Sequence, residues 1–550
     1  MAVVPQAQQV ESQGIPAPIQ GIVATGIYSG GSASGIASEG SIGVDSAIWL
    51  YNMIAGEYAC RVRPGSRDIV AGIPDNDGPD GQVRTILYYN STVAGGIQDF
   101  IFALTSSGIY DVTSGGAGPW VPNITWPNTG GNAGWASAIN YTNVAGDQYL
   151  LVCDEQNGYY IFDGTTWAPG TFTGTTVPLA VNLVHIEEWN GRIWLIERDT
   201  ATIWFLDPLA LTGDITAFNV GNRFKEGGHL VQSSTWTLDA GDGMDDKFIM
   251  ISSGGDVLVW EGIDPTAPAT IRLVGRWTVG SVAEGRRVLS DWGGDVTILS
   301  TAGAISVANL LQGTVDTAAR ASTAFITRGI NQYIRAEMQQ TLDVYGWSLQ
   351  LNEPQGIAII SVPQPVGSTR APIQFVLDIA SKSWSMFRDL DIVCQGKRDE
   401  QYVFGTSDGR IVELTGTVDK VDINGDGATG IVFSLLTHYS GVNSPAHWKR
   451  FHFCRPYWIG PAEPSFDLQM RYDFDIAELN TAPAFQLGGA SSWDSAIWDE
   501  SLWDGTAQGY LETIGVNGMG RHAAIAIRGT ATNELSYVGA DVIFQRGGML

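Results

Sequence analysis

The sequence predicts an all-β protein, with a β-propeller of about seven blades followed by a C-terminal β-rich platform domain. Three observations lead to this prediction: 68 of the 550 residues are glycine and 10% are aromatic, long stretches with helical periodicity are scarce, and a glycine-containing turn returns about every fifty residues. Many short strands joined by Gly-containing turns are typical of all-β proteins.

Residues 1–44 are rich in Gly, Ser, Ala and Pro, which predicts an extended N-terminal arm instead of a folded domain. The arm lacks the basic start and apolar run of a signal peptide. No stretch of the sequence approaches the ~18 apolar residues of a membrane helix. We therefore expect a protein that is folded in a cytoplasm and has no membrane-spanning segment.

Residues 45–420 contain a recurring turn in which small hydroxyl residues and a glycine lie between apolar runs. Four segments share this pattern: LTSSGIY (104–110), ISSGGDV (251–257), LSTAGAI (299–305) and GTSDGRI (405–411). Glycine supplies the positive φ of a tight hairpin turn, and Ser or Thr can bond to the turn backbone. Each segment is therefore predicted to be a β-hairpin.

The spacing of these turns predicts the architecture. With three further turns that fill the gaps, they recur at intervals of about fifty residues: Gly108, Gly158, Thr200, Gly255, Gly303, Gly356 and Gly409. A repeat of about 40–50 residues with four strands is typical of a β-propeller. A β-sandwich or a solenoid with chance spacing is the alternative interpretation.

Residues 421–550 break this spacing and are predicted to form a separate β-rich domain. Five strand-like stretches support this: 431–440, 450–459, 465–476, 523–529 and 537–545. The domain also contains WDSAIWDESLWDG (493–505), in which three tryptophans are five residues apart. A WD-repeat blade contributes one Trp-Asp per roughly 40–45 residues, so these do not mark three blades.

The three tryptophans of that segment are candidate interface residues: Trp493, Trp498 and Trp503. On one loop of the C-terminal domain, they are either anchors buried under a sheet or contacts to a partner subunit. Both interpretations remain open at the level of the sequence.

The charge balance argues against a nucleic-acid-binding protein. Asp and Glu total 57 against 30 Lys and Arg, a formal net charge of -27. Affinity for nucleic acid comes from Lys and Arg that displace counterions from phosphates. The simplest explanation of the acidic balance is solubility.

No catalytic constellation is evident, and we expect no enzyme activity, no cofactor and no zinc site. The segment IFDGTTWAPG (161–170) is close to a sialidase Asp-box but lacks its leading serine, so Asp163 and Trp167 are predicted to form a turn followed by a packed tryptophan. The four cysteines are far apart, fit no zinc spacing and are expected to be buried thiols.

One segment is a candidate metal loop. Asp422, Asn424 and Asp426 precede Gly427 as in the first half of an EF-hand calcium loop. The twelfth position, where a bidentate Glu is needed, is Phe433. A polar turn between two domains is therefore predicted, with a loop-type calcium site as the alternative.

Several segments in the same order resemble the tail nozzle or hub proteins of short-tailed bacteriophages. They are DSAIWLYNMIAGEYACRVRPGSR (45–67), NGRIWLIERDTATIWFLDP (190–208), FKEGGHLVQSSTWTLDAGDGMDDKFIMISSGGDVLVWEGIDP (224–265), LVGRWTVG (273–280), GGDVTILSTAGAISVANLL (293–311), IQFVLDIASKSWSMF (373–387), YVFGTSDGRIVEL (402–414) and YVGADVIFQRGG (537–548). The resemblance covers residues 45–550, and the order of the segments carries it, since no single motif is diagnostic.

This resemblance implies a structural protein of the virion tail, assembled in the host cytoplasm. Six copies would form a ring below the portal and its adaptor (the head–tail connector protein), enclose a channel for DNA retention and ejection, and possess surfaces for tail fibres or spikes. Six copies at -27 would carry about 160 negative charges, and a negative wall would let phosphates pass where a basic wall would hold them.

Two other function classes remain open. One is a carbohydrate-acting enzyme or a glycan-binding β-propeller, which would require aromatic residues and paired carboxylates in a central pocket. The other is a propeller that serves as an interaction scaffold in a cell.

Overall fold

A computed structural model describes the following parts of the chain: residues 10–22, 45–75, 81–93, 96–236, 246–267, 270–292, 294–311, 325–365, 368–398, 401–442, 445–479 and 508–549. Five strands precede the first complete sheet in the chain: β1 (Val10–Pro16), β2 (Ala47–Tyr51), β3 (Met53–Ala55), β4 (Cys60–Val62) and β5 (Ser66–Ala71).

Four sheets follow between residues 85 and 278. The first contains β6 (Thr85–Val93), β7 (Gly96–Leu104), β8 (Gly108–Asp111) and β10 (Pro122–Thr125), with β9 (Gly116–Ala117) pairing elsewhere. The second contains β11 (Ala136–Thr142), β12 (Gln148–Asp154), β13 (Gly158–Phe162) and β14 (Trp167–Pro169). The third contains β15 (Phe172–Thr173), β16 (Leu183–Trp189), β17 (Arg192–Glu197), β18 (Thr202–Leu206) and β19 (Gly213–Asn219). The fourth contains β20 (Leu230–Trp236), β21 (Lys247–Ser252), β22 (Asp256–Gly262) and β23 (Ile271–Thr278). All the strand pairs within these four sheets are antiparallel except β15 with β19.

Three further groups of strands lie between residues 289 and 414. They are β24 (Leu289–Trp292), β25 (Asp295–Ser300) and β26 (Gly303–Ser306); then β27 (Ser348–Asn352), β28 (Ile357–Ser361), β29 (Ile373–Asp378) and β30 (Ser383–Arg388); then β31 (Cys394–Arg398), β32 (Gln401–Gly405) and β33 (Ile411–Leu414). Helices α1 (Val307–Leu311) and α2 (Asn331–Met338) separate the first two groups. Short 3₁₀ turns occur at Ala180–Asn182, Gly221–Arg223 and Glu353–Gln355.

These sheets are arranged around an axis as a β-propeller. The innermost strands, β6, β11, β16, β20, β24, β27 and β31, each contact the next one in this order, and β31 contacts β6, so the ring closes. β5 pairs antiparallel with β33, so a strand that precedes the first blade completes the last one. β9, from the chain between β8 and β10, pairs parallel with β5. The expected all-β propeller is therefore confirmed.

The blade count differs from the expectation. Among the described residues six blades have four or more strands, whereas the sheet β24–β26 has three. The position beside β26 is occupied by an isolated bridge between Ile305 and Phe325 and by the two helices, whose buried side chains include Leu310 and Ile334. A complete seventh blade is not shown.

Most of the predicted turns lie at equivalent positions. Gly108, Gly158, Thr200, Gly255, Gly303 and Gly409 each lie where the second strand of a blade turns into the third, counted from the innermost strand. Gly158 has φ +76°, and a Cβ there would lie 2.0 Å from the Ala180 carbonyl oxygen, so this turn requires glycine. Gly356 differs, because it lies between the first and second strands, where it ends a 3₁₀ turn with φ +65°.

The C-terminal strands do not form a separate sheet system. They are β34 (Ile431–Thr437), β35 (His447–Gly460), β36 (Ser465–Tyr472), β37 (Gln508–Leu511), β38 (Ile514–Gly520), β39 (Ala523–Ala531) and β40 (Ser536–Met549). β2 links β30 of the propeller to β34, which extends that blade into an eight-stranded sheet with β39 and β36. The other C-terminal strands pair with β1, β3 and β4 in a seven-stranded sheet.

Strand pairing places β3 and β4 in the seven-stranded sheet and β2 between β30 of the propeller and β34, whereas residues 45–62 were expected to belong to the propeller alone. The two sheets pack face to face as a β-sandwich. Phe433 of the eight-stranded sheet contacts Trp458 of the seven-stranded sheet with ring centroids 5.6 Å apart, and Trp458 also contacts Phe466 and Tyr537. These aromatic contacts form one core because alternate residues of each strand point inward.

In the part of the chain that the structure describes, no helix has the length and apolar character needed to cross a membrane.

Candidate functional site

The propeller has two unlike faces. We call one side of the propeller the upper face. The chain enters each innermost strand there, as at 281–288, and the hairpins that join the second strand of a blade to the third lie there too, as at 154–158. The lower face carries the first and third connections of the blades, such as 143–147 and 207–212. Loops at these ends of a rigid scaffold are common positions for function.

At the upper face, Arg286 spans the propeller axis. Its guanidinium forms an ion pair with Glu155, which lies in the β12–β13 hairpin on the opposite side of the ring, and both side chains are at most 5% exposed. Arg286 Nη1 also donates to the Val231 carbonyl oxygen at 2.8 Å. Burial raises the pKa of Glu155, and the positive charges of Arg286 and Arg198 oppose this effect.

The next residue, Arg287, also spans the axis. Its Nη2 donates to Thr85 Oγ1 at 2.6 Å, and its guanidinium carbon lies 5.0 Å from the ring centroid of Trp135. Burial lowers the pKa of Arg287. Two adjacent guanidinium groups therefore occupy the axis at this level, so the centre of the propeller is not an open passage there.

Below the arginines, polar side chains join neighbouring innermost strands. The buried His185 ring donates from Nε2 to the Ser233 carbonyl oxygen at 3.0 Å, and its Nδ1 has no hydrogen-bond partner among the described residues. Burial lowers the pKa of His185 to about 3, so the ring is neutral. Gln232 bonds to both the N–H and the carbonyl oxygen of Leu289 in the next blade. These groups hold the ring of strands together.

One arrangement on the upper face has the order of a hydrolytic triad. Ser253 Oγ lies 3.4 Å from His229 Nδ1, and His229 Nε2 lies 2.9 Å from Glu284 Oε2. The hydrogen bond to Glu284 raises the pKa of His229. Serine next to a histidine that is oriented by a carboxylate is the general geometry of an activated nucleophile. Sequence reasoning missed this group, because its members are 55 residues apart.

The contacts around Ser253 favour a structural role. Ser253 Oγ also accepts a hydrogen bond from the His229 backbone N–H at 3.2 Å. In the last blade the equivalent hairpin residue, Ser407, donates from Oγ to Asp391 Oδ2 at 2.5 Å. In both blades a hairpin serine is tethered to the loop that enters the innermost strand, so we assign the contact to hairpin positioning.

The lower face of the second, third and fifth blades is acidic. Its exposed carboxylates lie in the connections or at the strand ends of that face: Asp147, Asp163, Glu188, Asp207, Asp214 and Asp291. Arg192 on the same side is buried and lies 3.6 Å from Asp207 and 3.3 Å from Asp264. The lower face therefore carries an excess of negative charge.

A cavity of about 620 Å³ lies where the propeller meets the sandwich, between α2, β29, β30 and β2. Its wall is formed by aromatic and aliphatic side chains that include Trp49, Tyr333 and Phe375. Arg370 forms two hydrogen bonds of 2.6 and 2.7 Å with Glu337 at the rim. The volume of this cavity is within the range of ligand pockets, and its largely apolar wall is typical of them.

The candidate calcium loop is a self-contained turn. Asp422 Oδ1 accepts hydrogen bonds from the backbone N–H groups of Asn424 at 2.8 Å and Asp426 at 2.9 Å. Phe433 is fully buried in the sandwich core, so it does not extend the loop. No group of three or more His, Cys, Asp or Glu side chains with metal-binding geometry exists among the described residues. Residues 422–427 therefore form a polar turn.

The Asp-box-like segment is also a turn. Asp163 Oδ1 accepts from the backbone N–H groups of Thr165 and Thr166, and these hydrogen bonds lower the pKa of Asp163 although burial opposes them. Trp167 packs edge-on against Phe102 with centroids 5.1 Å apart. The expected turn followed by a packed tryptophan is confirmed.

The remaining sequence-based candidates divide into two groups. The four cysteines are free and buried, as expected. Burial raises their pKa values, so they are poor nucleophiles. The three tryptophans of the repeated Trp-Asp segment lie outside the described residues, and the question of their role stays open: Trp493, Trp498 and Trp503.

Comparison with known proteins identifies no family. No family model matches the chain, and no curated protein matches it. Among solved structures, the chain is similar to the extracellular domain of the putative hybrid two component system BT4673 from B. thetaiotaomicron, with 11% identity, a TM-score of 0.39, and coverage of 68% of this chain and 44% of that one.

Two smaller proteins are also similar to this chain. For the WD40 β-propeller domain of Doa1 the identity is 11%, the TM-score 0.35, and the coverage 63% of this chain and 97% of that one. For YCF48 from Cyanidioschyzon merolae the identity is 12%, the TM-score 0.34, and the coverage 61% and 98%. Likenesses of this size say nothing about what this chain does.

Proposed function

We propose that this protein is a structural component of a short phage tail, which forms a nozzle or hub ring around the path of the DNA. In this proposal about six copies assemble below the adaptor, the sandwich is the platform that contacts neighbours or fibres, and the sheet β24–β26 is the seventh blade. The resemblance of segments across residues 45–550 supports this assignment.

The observation that carries the proposal is an exposed apolar face on the seven-stranded sheet. Phe453, Ile459, Leu511 and Met519 are 45, 43, 60 and 64% exposed. They lie on β35 and on β37 and β38, which both pair with β35 one after the other along the same edge, so that Phe453 faces Gly515 and Tyr457 faces Leu511. Large apolar side chains that a soluble protein exposes on one sheet face mark interaction sites, and here Arg455 and Tyr457 lie between Phe453 and Ile459 on β35. We infer that another subunit or tail protein covers this face.

The charge distribution agrees with a DNA path outside the propeller. Arg286 and Arg287 occupy the propeller axis, so a duplex would pass between copies instead of through one. An acidic lower face that lines such a path would repel phosphates, whereas exposed Lys and Arg would bind them and slow their passage.

Electron microscopy of the purified protein tests the proposal, because a six-fold ring with an axial hole is expected. A Phe453→Asp, Met519→Asp variant should remain folded but fail to form the ring, since it places charges in the apolar face. The matched control is Val121→Asp, Val144→Asp, which changes residues that are 80 and 76% exposed on the propeller. Monomers of the unaltered protein under every assembly condition, or rings formed equally by both variants, would count against it.

A second candidate function is glycan binding, and the cavity beside α2 is the observation that favours it. Aromatic faces such as Trp49 can stack on sugar rings, and Glu337 and Arg370 could bond to hydroxyl groups. Retention of the protein by host surface polysaccharide, lost in a Tyr333→Ala variant but kept in Tyr58→Ala (83% exposed), would favour this alternative.

A further inference from the structure

The N-terminal arm is a component of the sandwich. All seven residues of β1 pair with β40, from Val10 opposite Gln545 to Pro16 opposite Gly539. Ile15 is 3% exposed, Ala17 is 1% exposed, and both belong to the main hydrophobic core. The arm therefore covers an edge of β40 that would otherwise present unpaired backbone groups.

The end of the arm is attached to the propeller. Ile22 N–H donates to the Trp384 carbonyl oxygen at 2.7 Å, and Ser383 Oγ donates to the Ile19 carbonyl oxygen at 2.6 Å. Gly21 has φ +66°, and a Cβ there would lie 2.3 Å from the Trp384 oxygen. Residues 10–22 thus occupy a groove that runs from β40 to β30, with close backbone contact at its end.

The chain that connects this arm to the rest of the protein is longer than its position requires. Ile22 forms a β-bridge with Ala47, and Gln20 N–H donates to the Asp45 carbonyl oxygen at 2.9 Å. The two ends of segment 23–44 are therefore adjacent, although 22 residues of extended chain could span about 75 Å. The segment contains six Gly, five Ser and no Pro.

We propose that residues 10–22 are exchanged between copies, so that the arm of one copy fills the β40–β30 groove of the next. This inference rests on the proposed assembly of several copies. The same hydrogen bonds and buried side chains form whichever copy supplies the arm, and the long connection removes the strain that would tie the arm to its own chain. Such exchange between identical protomers is a low-cost route to association, and a head-to-tail contact closes a ring when its rotation permits.

The contacts inside the groove define a crosslinking experiment. Ser12 faces Ile543 in the register of β1 and β40. In a Ser12→Cys, Ile543→Cys variant the new cysteines should form a disulfide upon mild oxidation, while the four native cysteines are buried and free. Exchanged arms join different chains, so non-reducing denaturing gels should show a ladder of covalent oligomers up to the size of the ring.

A control pair shows what an intrachain bond produces. Asn90 and Asp99 face each other on β6 and β7 of one chain. Asn90→Cys, Asp99→Cys should give only a monomer-sized band with altered mobility. A second arm pair, Val10→Cys with Gln545→Cys, repeats the test at the other end of β1 if the first variant does not fold.

The outcomes separate the two proposals. A ladder from native rings supports arm exchange, and an intrachain bond within native rings overturns exchange while leaving the ring proposal intact. A monomeric native protein with an intrachain bond overturns both. A covalent dimer from a native dimer supports exchange but contradicts the proposed six-fold ring.

Discussion

Arg286 and Glu155 form a buried ion pair across the axis of the propeller, between the loop that enters β24 and the hairpin that joins β12 to β13. The pair joins blades on opposite sides of the ring, which the hydrogen bonds within each sheet cannot do. It also closes the axis, and this is why the proposed DNA path lies between copies.

Replacing Arg286 with methionine should strongly destabilise the propeller. Glu155 would remain buried without its main cationic partner, which typically costs about 3–5 kcal/mol. Chemical unfolding measures the loss. Arg272→Met is the control, because Arg272 is paired with Glu261 but its side chain is 78% exposed, and its loss should stay within about 1 kcal/mol. Equal effects of the two substitutions would show that the axial pair has no special importance.

Stability should fall in acid because of His185. Its pKa is lowered from 6.5 to about 3 in the folded protein, so below pH 6.5 the unfolded chain binds a proton that the folded chain does not. The stabilisation of the folded protein that comes from the neutral His185 ring is fully present above pH 6.5. It is lost as the pH falls towards 3, by up to about 1.4 kcal/mol per pH unit.

His185→Gln should flatten this acid dependence, since glutamine does not titrate and can keep the bond to the Ser233 carbonyl oxygen. Unfolding curves between pH 4 and pH 7 measure the slope. His452→Gln, at a partly exposed position of β35, controls for the loss of a histidine. An unchanged slope in His185→Gln would contradict the conclusion that His185 causes the loss of stability in acid.

Glu284→Gln should lower the pKa of His229. The hydrogen bond to Glu284 is the main cause of the raised pKa of His229, and a neutral amide does not favour the imidazolium ion to the same extent. The pairing stabilises the protein below pH 6.5, and this stabilisation is lost as the pH rises through the raised pKa. NMR titration of the His229 ring resonances measures the change. Glu226→Gln is the control, since Glu226 lies in the loop that contains His229, and it should leave the His229 ring resonances unchanged.

Gly21→Ala should release the arm. The new methyl group would lie 2.3 Å from the Trp384 oxygen at a left-handed φ of +66°, so the Ile22–Trp384 hydrogen bond must break. We expect faster hydrogen exchange of the β1 amides and lower thermal stability. Gly425→Ala is the matched control, because Gly425 has φ +90° with nothing within 4 Å, and its cost should be limited to the roughly 1–2 kcal/mol of backbone strain.

Calcium should not stabilise the protein through residues 422–427. The Asp422 carboxylate is already bonded to two backbone N–H groups of its own turn. Asp422→Ala should cost about 1 kcal/mol, the value of a typical net hydrogen bond, with or without calcium. Thermal unfolding with millimolar Ca²⁺ or with a chelator measures this. A rise in melting temperature that needs Asp422 would support the calcium site instead.

Local patterns predicted the strands and most hairpins well, because each depends on residues close in sequence. The sequence predicts turns at glycines such as Gly158 and Gly255 from the apolar runs on both sides of them. Each of these glycines lies where the second strand of its blade turns into the third. Gly356 lies in a turn, as predicted, but between the first and second strands of its blade. The sequence does not distinguish these positions, since a glycine turn looks the same wherever it lies in a sheet.

The site residues were harder to predict. Arg286, Glu155, His229 and Glu284 lie in loops without a local signal, and they meet only because the ring brings distant loops to one face. A separate C-terminal domain is not confirmed for the same kind of reason, since β2 pairs with β30 and β34 across more than 300 residues of chain.

The sequence by itself determined the all-β character, the repeat length and the acidic charge, because composition and alternation act over a few residues. The tertiary structure decided which strand closes the last blade, which arginines occupy the axis and where the N-terminal arm lies. Those features depend on pairing between strand edges, and any exposed edge of suitable length can accept a strand from elsewhere in the chain or from another copy.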